Sequence, residues 1–416
     1  MDNIEQQPTL FVGLDIGTTK VCVIIAAEGS SERLNVLGVG NAESEGLSRG
    51  VITNIEKTVR SIQTAVEIAE QQAGVRIHSV YVGTAGEHIQ SLQSRGVIAI
   101  TNPEHEISEE DVKRLLQDTK RISLPAEREI LHVFPQEYVI DGQTGFHDPI
   151  GMTGIRLEAT VHVVTGVIGA LRNIKKCVER THLRVDDIIL QPLASSEAVL
   201  IDKEKELGVA LIDIGGGTTD IIIFDEGVIR HSASIPYAGN HVTQDIRKGL
   251  GILQEQAETI KKDYGCTFIK NILENEFITI PGVAGRSPLE LSKETLCGII
   301  QPRMEEIFEL VAEEIRRSGY SKQLSGGIVL TGGGSMIRGT VELAQAVLGV
   351  PAKLGIPSGF SGGLVKEIEH PLYATCAGLT LLAYHQREEK YNADELYEHK
   401  KNSTPFTKMV NWLKNM

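Results

Sequence analysis

Two glycine-containing turns carry side chains that can hold a polyphosphate. The first is Asp15-Ile-Gly-Thr-Thr-Lys20, and the second is Asp213-Ile-Gly-Gly-Gly-Thr-Thr-Asp220. Glycines let backbone N–H groups approach an anion closely, and threonine hydroxyls can add hydrogen bonds. Asp15 and Asp213 stand at matching positions and could hold a hydrated Mg²⁺ between two turns that clamp a triphosphate. The candidate ligand residues are Asp15, Gly17, Thr18, Thr19, Lys20, Asp213, Gly215, Gly216, Gly217, Thr218 and Thr219.

Glycine-rich turns also occur in hairpins and in nucleotide sites of different architecture. Either turn taken alone is equally consistent with a tight hairpin that binds no ligand. A Rossmann loop is disfavoured, because its glycines lead from a strand into a helix, whereas Thr218–Phe224 is β-branched and continues as a strand. The P-loop pattern Gly-x₄-Gly-Lys-Ser/Thr does not occur in the sequence. The occurrence of two matching turns is therefore what favours phosphate binding.

A third glycine cluster follows an apolar strand late in the chain. In Gly327-Ile-Val-Leu-Thr-Gly-Gly-Gly-Ser-Met-Ile-Arg-Gly339 the pattern runs from the strand through three glycines into a helical segment. Backbone without side chains can lie flat against a base or a ribose. The alternative is an ordinary strand-to-helix turn without a ligand. The candidate residues here are Gly332, Gly333, Gly334 and Ser335.

The elements around the turns alternate between strands and helices. Each aspartate-bearing turn joins two apolar, β-branched runs, which predicts a buried hairpin in each half of the chain. Because the second hairpin repeats the first about two hundred residues later, we expect two related lobes. Amphipathic helices are predicted over Ile55–Gln72, Ala170–Arg180 and Val242–Tyr264. The predicted fold class is α/β, with two layered lobes.

A segment of the first lobe has the pattern of an inserted small α+β subdomain, with the order strand, helix, strand, strand. Ser108 and Asp111 have the spacing of a capping box, and Ile107 with Val112 fits a hydrophobic staple, so a helix start is well defined. The predicted elements are strand Ser79–Val82, helix Ser108–Arg121, and strands Ile130–Ile140 and Arg156–Val164.

The end of the chain combines a polar segment with an amphipathic pattern. Residues 386–403 are charged without apolar periodicity, which predicts a flexible linker that reaches on the order of 60 Å when extended. In residues 404–416 apolar side chains recur at i, i+3, i+4 and i+7, which predicts a helix lying in a membrane interface. The candidate membrane-binding residues are Phe406, Lys408, Met409, Val410, Trp412, Leu413, Lys414 and Met416.

The alternative for this terminal segment is a helix packed on its own domain, or a frayed tail. The lysines can add attraction to anionic lipid, but so short an anchor should bind only marginally. Stable attachment would need many anchors on one object, which polymerisation of the chain would supply.

Composition excludes several classes of protein. The 416-residue chain is long enough for more than one core, and its net charge of −14 argues against a general nucleic-acid binder. The five cysteines are scattered without a Cys-x-x-Cys pair, which is typical of a reduced, cytosolic protein without a zinc site. No apolar run approaches the roughly 20 residues of a membrane span.

The three glycine elements resemble the nucleotide motifs of the actin, heat-shock chaperone and sugar-kinase superfamily. Leu14–Lys20 is similar to its first phosphate motif, Leu211–Asp220 to its second, and Ile328–Gly339 to its adenosine motif. The resemblance implies an actin-like fold of two duplicated, ribonuclease-H-like lobes that bind ATP with Mg²⁺.

Further segments resemble other parts of that superfamily. Ile189–Glu197 and Pro371–Leu379 are similar to its two connecting helices, where the lobes hinge. By this resemblance Gln191 falls where relatives orient the attacking water. The segment with Glu258, Lys261 and Lys262 resembles the helix by which the second lobe of that superfamily contacts the nucleoside. A solvated charged helix face accounts for these residues equally well.

Within the superfamily the chain most resembles the FtsA family of bacterial cell division. Three features carry this resemblance: the inserted subdomain, the phrase Leu330-Thr-Gly-Gly-Gly-Ser335, and the terminal helix after a linker. It implies a protein that polymerises, tethers FtsZ filaments of the Z ring to the cytoplasmic face of the inner membrane at the division site, and helps recruit later division proteins. The implied partner is the C-terminal tail of FtsZ, and Arg303 matches a position implicated in its binding, although it could equally be a solvated helix charge.

The expected domain boundaries follow from the repeats and the resemblance. The first lobe would comprise residues 9–82, continued at 165–200 and about 371–385; the inserted subdomain 83–164; the second lobe 201–370, with its smaller, partner-binding subdomain at about 236–320; the linker 386–403; and the membrane-targeting helix 404–416.

Three related functions remain as alternatives. A pilus-assembly scaffold ATPase shares the expected architecture. A small-molecule kinase of the same fold would bind phosphates in the same way, but it needs a general base, which the sequence does not identify. A heat-shock chaperone is disfavoured, because no long substrate domain follows. Since Gln191 is a weaker activator than a carboxylate, we expect at most slow ATP hydrolysis, with nucleotide acting mainly as a conformational ligand.

Overall fold

The computed structural model describes residues 9–29, 33–272, 276–282 and 287–401, with the side chains of the last helix described as far as Arg387. Two lobes, each built on a mixed sheet, face each other across a cleft, and a third sheet belongs to an inserted subdomain.

The first lobe is built on a six-stranded sheet with the order β11-β6-β1-β2-β3-β19. Its central strands read as continuous apolar runs because the sheet is covered on both faces. The predicted first hairpin is confirmed, with Leu10 opposite Ala27 and Ile16 opposite Val21. The strands are β1 (Leu10–Ile16), β2 (Lys20–Glu28), β3 (Leu34–Glu43), the two-residue pair β4 (Leu47–Ser48) and β5 (Val51–Ile52), β6 (Ser79–Thr84), β11 (Arg184–Leu190) and β19 (Phe360–Gly363).

Two helices, α1 (Ile55–Ala73) and α3 (Ile168–Glu179), cover one face of this sheet. Helix α1 begins where the Asn54 side chain accepts a hydrogen bond from the backbone of Lys57, and it ends at Gly74 in the left-handed conformation. Both helices match their predicted positions to within two residues.

The inserted subdomain forms a four-stranded sheet with the order β7-β10-β8-β9 and one helix. The predicted capping box is confirmed, since Ser108 and Asp111 exchange hydrogen bonds at the start of the helix. The first strand is corrected: Ser79–Val82 belongs to β6 of the first lobe. The exposed, polar strand that replaces it lacks an alternating apolar pattern. The elements are β7 (Ile89–Ala99), α2 (Glu109–Thr119), β8 (Arg128–Ile140), β9 (Gln143–Phe146) and β10 (Arg156–Val167).

The second lobe repeats the sheet design of the first, with the order β14-β13-β12-β17-β18. The predicted second hairpin is confirmed by the register of β12 and β13, in which Val209 lies opposite Phe224. The elements are α5 (Asp202–Leu207), β12 (Val209–Ile214), β13 (Thr219–Asp225), β14 (Val228–Ile235), β17 (Ile328–Thr331), α9 (Thr340–Leu348) and β18 (Ala352–Leu354).

A smaller subdomain of the second lobe lies between β14 and β17. The single helix predicted over Val242–Tyr264 is corrected to two helices, because Gly251 adopts the left-handed conformation and ends the first of them. The elements are α6 (Gly239–Leu250), α7 (Gln254–Tyr264), β15 (Phe277–Ile280), β16 (Leu289–Ser292) and α8 (Lys293–Ser318).

The predicted extent of the second lobe, 201–370, also needs a correction at its end. Strand β19 pairs in parallel with β3 of the first lobe, and the short helix α10 (Val365–Ile368) follows it. The chain therefore returns to the first lobe before residue 360. The sequence Phe360-Ser-Gly-Gly363 has no strand pattern of its own, and only the free edge of β3 makes it a strand.

Helices α4 (Gln191–Val199) and α11 (Ala374–Lys401) connect the lobes. They lie in one hydrophobic cluster with the inner faces of both sheets. A side chain at Gly378 would overlap the carbonyl of Ala194, so a glycine is needed where the two helices touch. Both predicted connecting helices are thereby located at the junction of the lobes.

The structure differs from the predicted flexible linker over 386–403, because α11 continues as far as Lys401. This stretch lacks glycine and proline and is rich in Glu and Lys, whose helix propensity does not require an apolar stripe. A helix rises about 1.5 Å per residue, so the reach of this segment is less than half of the extended estimate. The predicted membrane-targeting helix, 404–416, lies outside the described residues. Among the described helices, none is long and apolar enough to cross a membrane.

Candidate nucleotide-binding site

A cleft of about 1060 Å³ lies between the two lobes and is lined by all three glycine elements. The predicted residues that line it are Asp15, Gly17, Thr18, Thr19, Lys20, Gln191, Asp213, Gly215, Gly216, Gly217, Thr218, Glu258, Lys261, Lys262, Gly332, Gly333 and Gly334. Its volume falls at the upper end of what small-molecule sites usually offer. The structure thus gathers residues from five separate segments of the sequence in one concave site.

The two phosphate turns meet tip to tip across the cleft. A Cβ atom added to Gly216 would overlap the side chain of Thr19, and one added to Gly217 would lie 2.5 Å from Oγ1 of Thr18. The glycines of the second turn therefore make room for the threonines of the first. Backbone N–H groups at these tips are bare of side chains on one side, as an approaching phosphate requires.

Asp15 lies at the end of β1 and is held by the first connecting helix. The Gln191 side chain donates a hydrogen bond from Nε2 to Oδ1 of Asp15 at 2.8 Å. Burial raises the pKa of Asp15 to about 6, although Lys20 lowers it, and the charge of Asp213 raises it further. A bound cation would remove this cost of ionisation.

Asp213 is the counterpart of Asp15 and is held by both connecting helices. Its Oδ2 accepts hydrogen bonds from Ser195 Oγ of α4 at 2.6 Å and from Thr375 Oγ1 of α11 at 3.2 Å. Burial raises the pKa of Asp213, while these two hydroxyls lower it. Since one carboxylate joins α4 and α11, its charge state is coupled to the hinge.

A third carboxylate, Asp220, lies on β13 directly opposite Asp213 in the hairpin register. Its Oδ2 accepts a hydrogen bond from Thr218 Oγ1 at 2.9 Å. Burial raises the pKa of Asp220 to about 7, with smaller contributions from Ser234, which lowers it, and Asp213, which raises it. The cleft therefore places three buried acidic groups on the side of the phosphate turns.

These acidic groups fit a hydrated Mg²⁺ rather than a fully protein-bound ion. Within the described ranges, no three His, Cys, Asp or Glu side chains converge closely enough to hold a metal directly. Mg²⁺ usually keeps several waters and binds through one or two carboxylates together with phosphates of the ligand. Asp15 and Asp213, both lining the cleft with raised pKa values, match that mode of binding.

The third glycine cluster packs against the second phosphate turn. Gly332 has a φ of 80°, and a Cβ there would overlap Oδ1 of Asp213. Gly334 likewise lies against Ile214. Glycines are needed here because the backbone of this loop lies against Asp213 and Ile214. The other side of the loop forms part of the cleft wall.

Two predicted ligand residues do not reach the cleft. The hydroxyl of Thr219 donates to the carbonyl of Tyr237 at 2.8 Å, and that of Ser335 donates to the carbonyl of Gly332 at 2.7 Å. Both side chains are buried and are not among the residues that line the cleft. Both hydroxyls hold the backbone around the glycine loops. Thr219 is the first residue of β13, where successive side chains point to opposite faces, and Ser335 lies in the short 3-10 helix that follows Gly332.

Lys20 stands at the rim of the cleft and contacts the start of the second connecting helix. Its Nζ donates to the carbonyl of Leu372 at 2.7 Å and lies 4.2 Å from the centre of the Tyr373 ring. Burial lowers the pKa of Lys20, but Cys22 and Asp15 raise it more, so the side chain stays charged. The positive charge of Lys20 is thus held beside the phosphate turns and in contact with the residues that precede α11.

The charged residues of α7 form a tight cluster on the opposite wall. Lys261 Nζ lies 2.7 Å from Glu258 Oε2 and donates to the carbonyl of Gly239 at 3.1 Å. Lys262 Nζ lies 3.3 Å from Glu258 Oε1. Burial raises the pKa of Glu258, but the Lys261 charge lowers it more, so the net shift is downward. The cluster lines the cleft, whereas a purely solvated helix face would not.

Other predicted functional residues lie away from the cleft. Arg303 of α8 forms an ion pair with Asp245 at 2.6 Å and a second with Glu306, on the smaller subdomain of the second lobe. The predicted membrane-binding residues, from Phe406 to Met416, lie outside the described part of the chain.

Sequence reasoning missed further cleft and hinge residues, among them Asp220, Ser195 and Thr375. Asp220 ends the second turn motif and is a charged residue directly before the buried apolar run Ile221–Phe224 of β13, a signal that could have identified it. Ser195 and Thr375 lie in helices without a distinctive pattern, and only the packing of α4 against α11 brings them to Asp213.

Comparisons with known proteins agree with this geometry. The family model described as "Cell division protein FtsA" matches residues 210–378, and that described as "SHS2 domain inserted in FTSA" matches residues 86–165. Cell division protein FtsA of Pseudomonas aeruginosa is 47% identical over 384 residues, covering 92% of this chain and 91% of the relative. Its counterpart in Escherichia coli K12 is 40% identical over 377 residues, covering 89% of each chain.

Solved structures show the fold. A PilM-PilN type IV pilus biogenesis complex matches with a TM-score of 0.66 at 16% identity, covering 90% of this chain and 98% of that chain. MreB5 of Spiroplasma citri bound to ADP matches with a TM-score of 0.55 at 18% identity, covering 92% and 98%. The predicted actin-like fold with an inserted subdomain is confirmed. Since identity to the two bacterial relatives is high over nearly the whole length, this chain belongs to the FtsA family of cell division proteins.

Proposed function

We propose that the chain binds ATP with Mg²⁺ in the cleft between its lobes and uses the nucleotide mainly as a conformational ligand. The observation that carries this proposal is the tip-to-tip arrangement of the two phosphate turns, with Thr18 and Thr19 against Gly217 and Gly216. A triphosphate held there contacts both lobes at once, so it stabilises one arrangement of the lobes over others.

The chain's own residues would divide the work of binding. Asp15 and Asp213 hold Mg²⁺ mostly through water, and Lys20 adds a direct positive charge. Mg²⁺ screens the charges of the phosphates when it is bound. The wall from Gly332 to Gly334 takes the adenosine, with Glu258, Lys261 and Lys262 on the opposite side.

Hydrolysis by this site would be slow. Gln191 reaches the cleft from the start of α4 and donates to Asp15, a position from which its amide can orient a water molecule. An amide orients water but does not accept its proton. The chain is therefore at most a slow ATPase.

We further propose the role that family membership suggests. The chain polymerises, tethers FtsZ filaments of the Z ring to the cytoplasmic face of the inner membrane as a peripheral protein, and helps recruit later division proteins. The family relationship over about nine-tenths of the chain supports this role. The likeness to an MreB5 structure supports the actin-like fold on which this role would be built.

We propose that the C-terminal tail of FtsZ binds to the smaller subdomain of the second lobe and that Arg303 contacts it. Arg303 is about one quarter exposed and paired with Asp245 and Glu306. A carboxylate of the FtsZ tail could bind Arg303 beside Asp245 and Glu306, or could displace one of these two ion-pair partners. Arg303→Ala should therefore weaken binding of an FtsZ tail peptide, whereas Lys322→Ala, elsewhere on the lobe, should not.

For the membrane, we propose the segment 404–416 as an amphipathic anchor carried at the end of α11. A helix lying in the interface would bury Trp412 and expose Asn411. Trp412→Glu should abolish flotation with anionic liposomes, whereas Asn411→Glu adds the same charge on the polar side and should retain it. Equal flotation of both variants would refute the anchor.

Calorimetry tests the nucleotide site. Titration of ATP into the protein should show binding that weakens at least about tenfold when Mg²⁺ is chelated, because the buried carboxylates then repel the phosphates. Co-sedimentation with liposomes, with and without FtsZ and ATP, tests the tether. Absence of any Mg²⁺-dependent affinity for adenine nucleotides would refute the central proposal.

A further inference from the structure

One strand of the inserted subdomain contacts both lobes. On β8, His132 accepts a hydrogen bond at Nε2 from the backbone N–H of Leu190, at the start of the connecting helix α4 in the first lobe. Four residues further along the same strand, the Gln136 side chain donates to the carbonyls of Ile229 and Arg230 in β14 of the second lobe, both at 2.9 Å. Strand β8 therefore crosses the junction at which the lobes hinge.

Other strands of the insert extend this contact with β14. Ser91 of β7 donates from Oγ to the carbonyl of Ser232 at 2.8 Å, and His162 of β10 lies with Nε2 2.9 Å from Oγ of Ser232. Arg230 donates back to the carbonyl of Gln136 at 3.2 Å. We call these contacts of Ser91, Gln136 and His162 with Ile229, Arg230 and Ser232 the insert seam.

The insert seam is a desolvated polar contact. Gln136 is 3% exposed and His162 is 2% exposed. Strand β14 is the edge of its sheet, and the seam covers that edge with side chains rather than with another strand. Buried polar groups must keep their partners, so the seam resists any sliding of β14 along the insert.

The insert is also tied to the wall of the nucleotide cleft. Thr84 lines the cleft at the end of β6, and its Oγ1 lies 3.0 Å from Nε2 of His88. Arg128 of β8 donates to the carbonyl of His88 at 3.0 Å and to Oγ1 of Thr165 at 3.1 Å. The bond between Thr84 and His88 ties the insert to the first lobe where the chain enters it. Arg128 then joins this point to the end of β10, where the chain leaves the insert.

Attachment on both sides has a mechanical consequence. The lobes can rotate about α4 and α11 only if the insert follows one lobe and parts from the other. The insert is covalently connected to the first lobe at both of its ends. When the lobes rotate, the insert seam with the second lobe is therefore the contact that breaks. The seam is formed in the same lobe arrangement in which Thr18 and Thr19 meet Gly217 and Gly216.

We propose that the inserted subdomain is a brace between the lobes, whose seam with β14 stabilises the arrangement that brings the two phosphate turns together. This inference rests on the proposed nucleotide site. By linkage, a partner that pulls the insert from β14 weakens nucleotide binding, and bound nucleotide strengthens the seam to the same degree.

Nucleotide dissociation from seam variants of the full chain tests the brace. Gln136→Ala removes the two hydrogen bonds that its side chain donates to β14, and release of a fluorescent ATP analogue with Mg²⁺ should accelerate about tenfold while no cleft residue has changed. Gln143→Ala is the matched control, since Gln143 is exposed on β9 of the same subdomain. Release from this control should equal that from the wild type.

Hydrogen exchange supplies a readout that loss of packing alone would not produce. Addition of ATP and Mg²⁺ should slow amide exchange in β7 and β8 of the wild type, far from the ligand, and this protection should vanish in Gln136→Ala. If that variant does not fold, Ser91→Ala removes a single seam bond, and about threefold faster release is expected.

The outcomes separate the two proposals. If the wild type binds no nucleotide, the proposed function fails. If it binds nucleotide but Gln136→Ala and Ser91→Ala release it at the wild-type rate, or the insert shows no protection on binding, the brace is refuted while the nucleotide site stands.

Discussion

In the first lobe, the turn after β1 closes with a hydrogen bond from the N–H of Gly17 to the carbonyl of Lys20 at 2.9 Å. In the second lobe, the same bond joins Gly215 to Thr218, also at 2.9 Å. By this register Thr18 and Thr19 correspond to Gly216 and Gly217, although the linear sequences suggest that the threonine pairs match each other. The backbones of the two turns are alike, and their side chains are not.

The difference follows from the way the turns meet. Two tips in contact cannot both carry Cβ atoms, so one turn keeps threonines and the other keeps glycines. The first turn supplies Lys20, where the second has Thr218, and the second supplies Asp220, where the first has Cys22. One lobe thus contributes a cation and the other an additional acid to one shared site.

The largest effect is expected from placing a side chain on the bare tip. Gly216→Val would overlap Thr19 and force the lobes apart, so affinity for ATP with Mg²⁺, measured by calorimetry, should fall at least about 100-fold. Gly169→Val is the control, because Gly169 has open space around it. Adding Thr19→Gly to the Gly216→Val variant should recover part of the affinity, and a lack of recovery would contradict the tip-to-tip contact.

A smaller loss is expected when the cation of the first turn is removed. Lys20→Gln takes away a charge-assisted interaction with phosphate, which is typically about 1.5–3 kcal/mol, so affinity for ATP should fall about 10- to 100-fold. Lys57→Gln, on an exposed helix face outside the cleft, should change affinity less than about twofold. Equal effects of the two substitutions would mean that the first turn does not contribute its charge to the site.

Turnover should respond to the amide that bridges α4 and the first turn. Gln191→Ala removes the donor to Asp15 and should lower the rate of phosphate release about tenfold, with the dissociation constant for ATP changed less than about threefold. Gln254→Ala, on the second-lobe wall of the cleft, is the control. An unchanged rate in Gln191→Ala would exclude a water-positioning role.

The smallest effect, and one of opposite sign, is expected at the additional acid of the second turn. The folded-state pKa of Asp220, about 7, lies above the ordinary value of 3.8, so its ionised form costs stability above pH 7. Asp220→Asn should therefore raise the melting temperature of the ligand-free protein at pH 8 by about 2–4 °C. The advantage should fade as the pH falls through 7 towards 4, where the wild-type carboxyl is neutral.

Asp220→Asn should also reduce the gain in melting temperature on adding ATP with Mg²⁺, since a cation near the turns relieves the same charge. Asp225→Asn, at the far end of β13, is the control. A melting temperature of Asp220→Asn below that of the wild type at pH 8 would show that the carboxylate is stabilising in the ligand-free site.

Local sequence was sufficient where a pattern is strong. Both hairpins, helices α1 and α3, and the capping box of Ser108 and Asp111 were predicted from residues close together in the chain, because apolar β-branched runs, helical periodicity and capping are local effects. Prediction failed where a segment becomes a strand only because it pairs with a strand that is distant in the sequence. The polar strand β7 is ordered by pairing with β10, and β19 is a strand only beside β3.

The candidate site divides in the same way. The cleft residues of the glycine turns were identified, because glycines, threonines and aspartates within a turn are a local pattern typical of phosphate sites. Thr219 and Ser335 were assigned to the ligand, but their hydroxyls bind carbonyls of Tyr237 and Gly332, and only the direction of each side chain in the folded loop shows this. The helical continuation of α11 was missed because a polar segment can be a helix without an apolar stripe.

Residues close together in the chain were enough to predict two related lobes, the three glycine elements that line the cleft and the paired aspartates, since these rest on local backbone geometry and on chemistry within a turn. The folded arrangement was needed to see which turn keeps its side chains at the point of contact, how Ser195 and Thr375 share Asp213 between the hinge helices, and that the insert touches both lobes. These features depend on surfaces that meet only after the chain has folded, and short-range patterns carry no record of them.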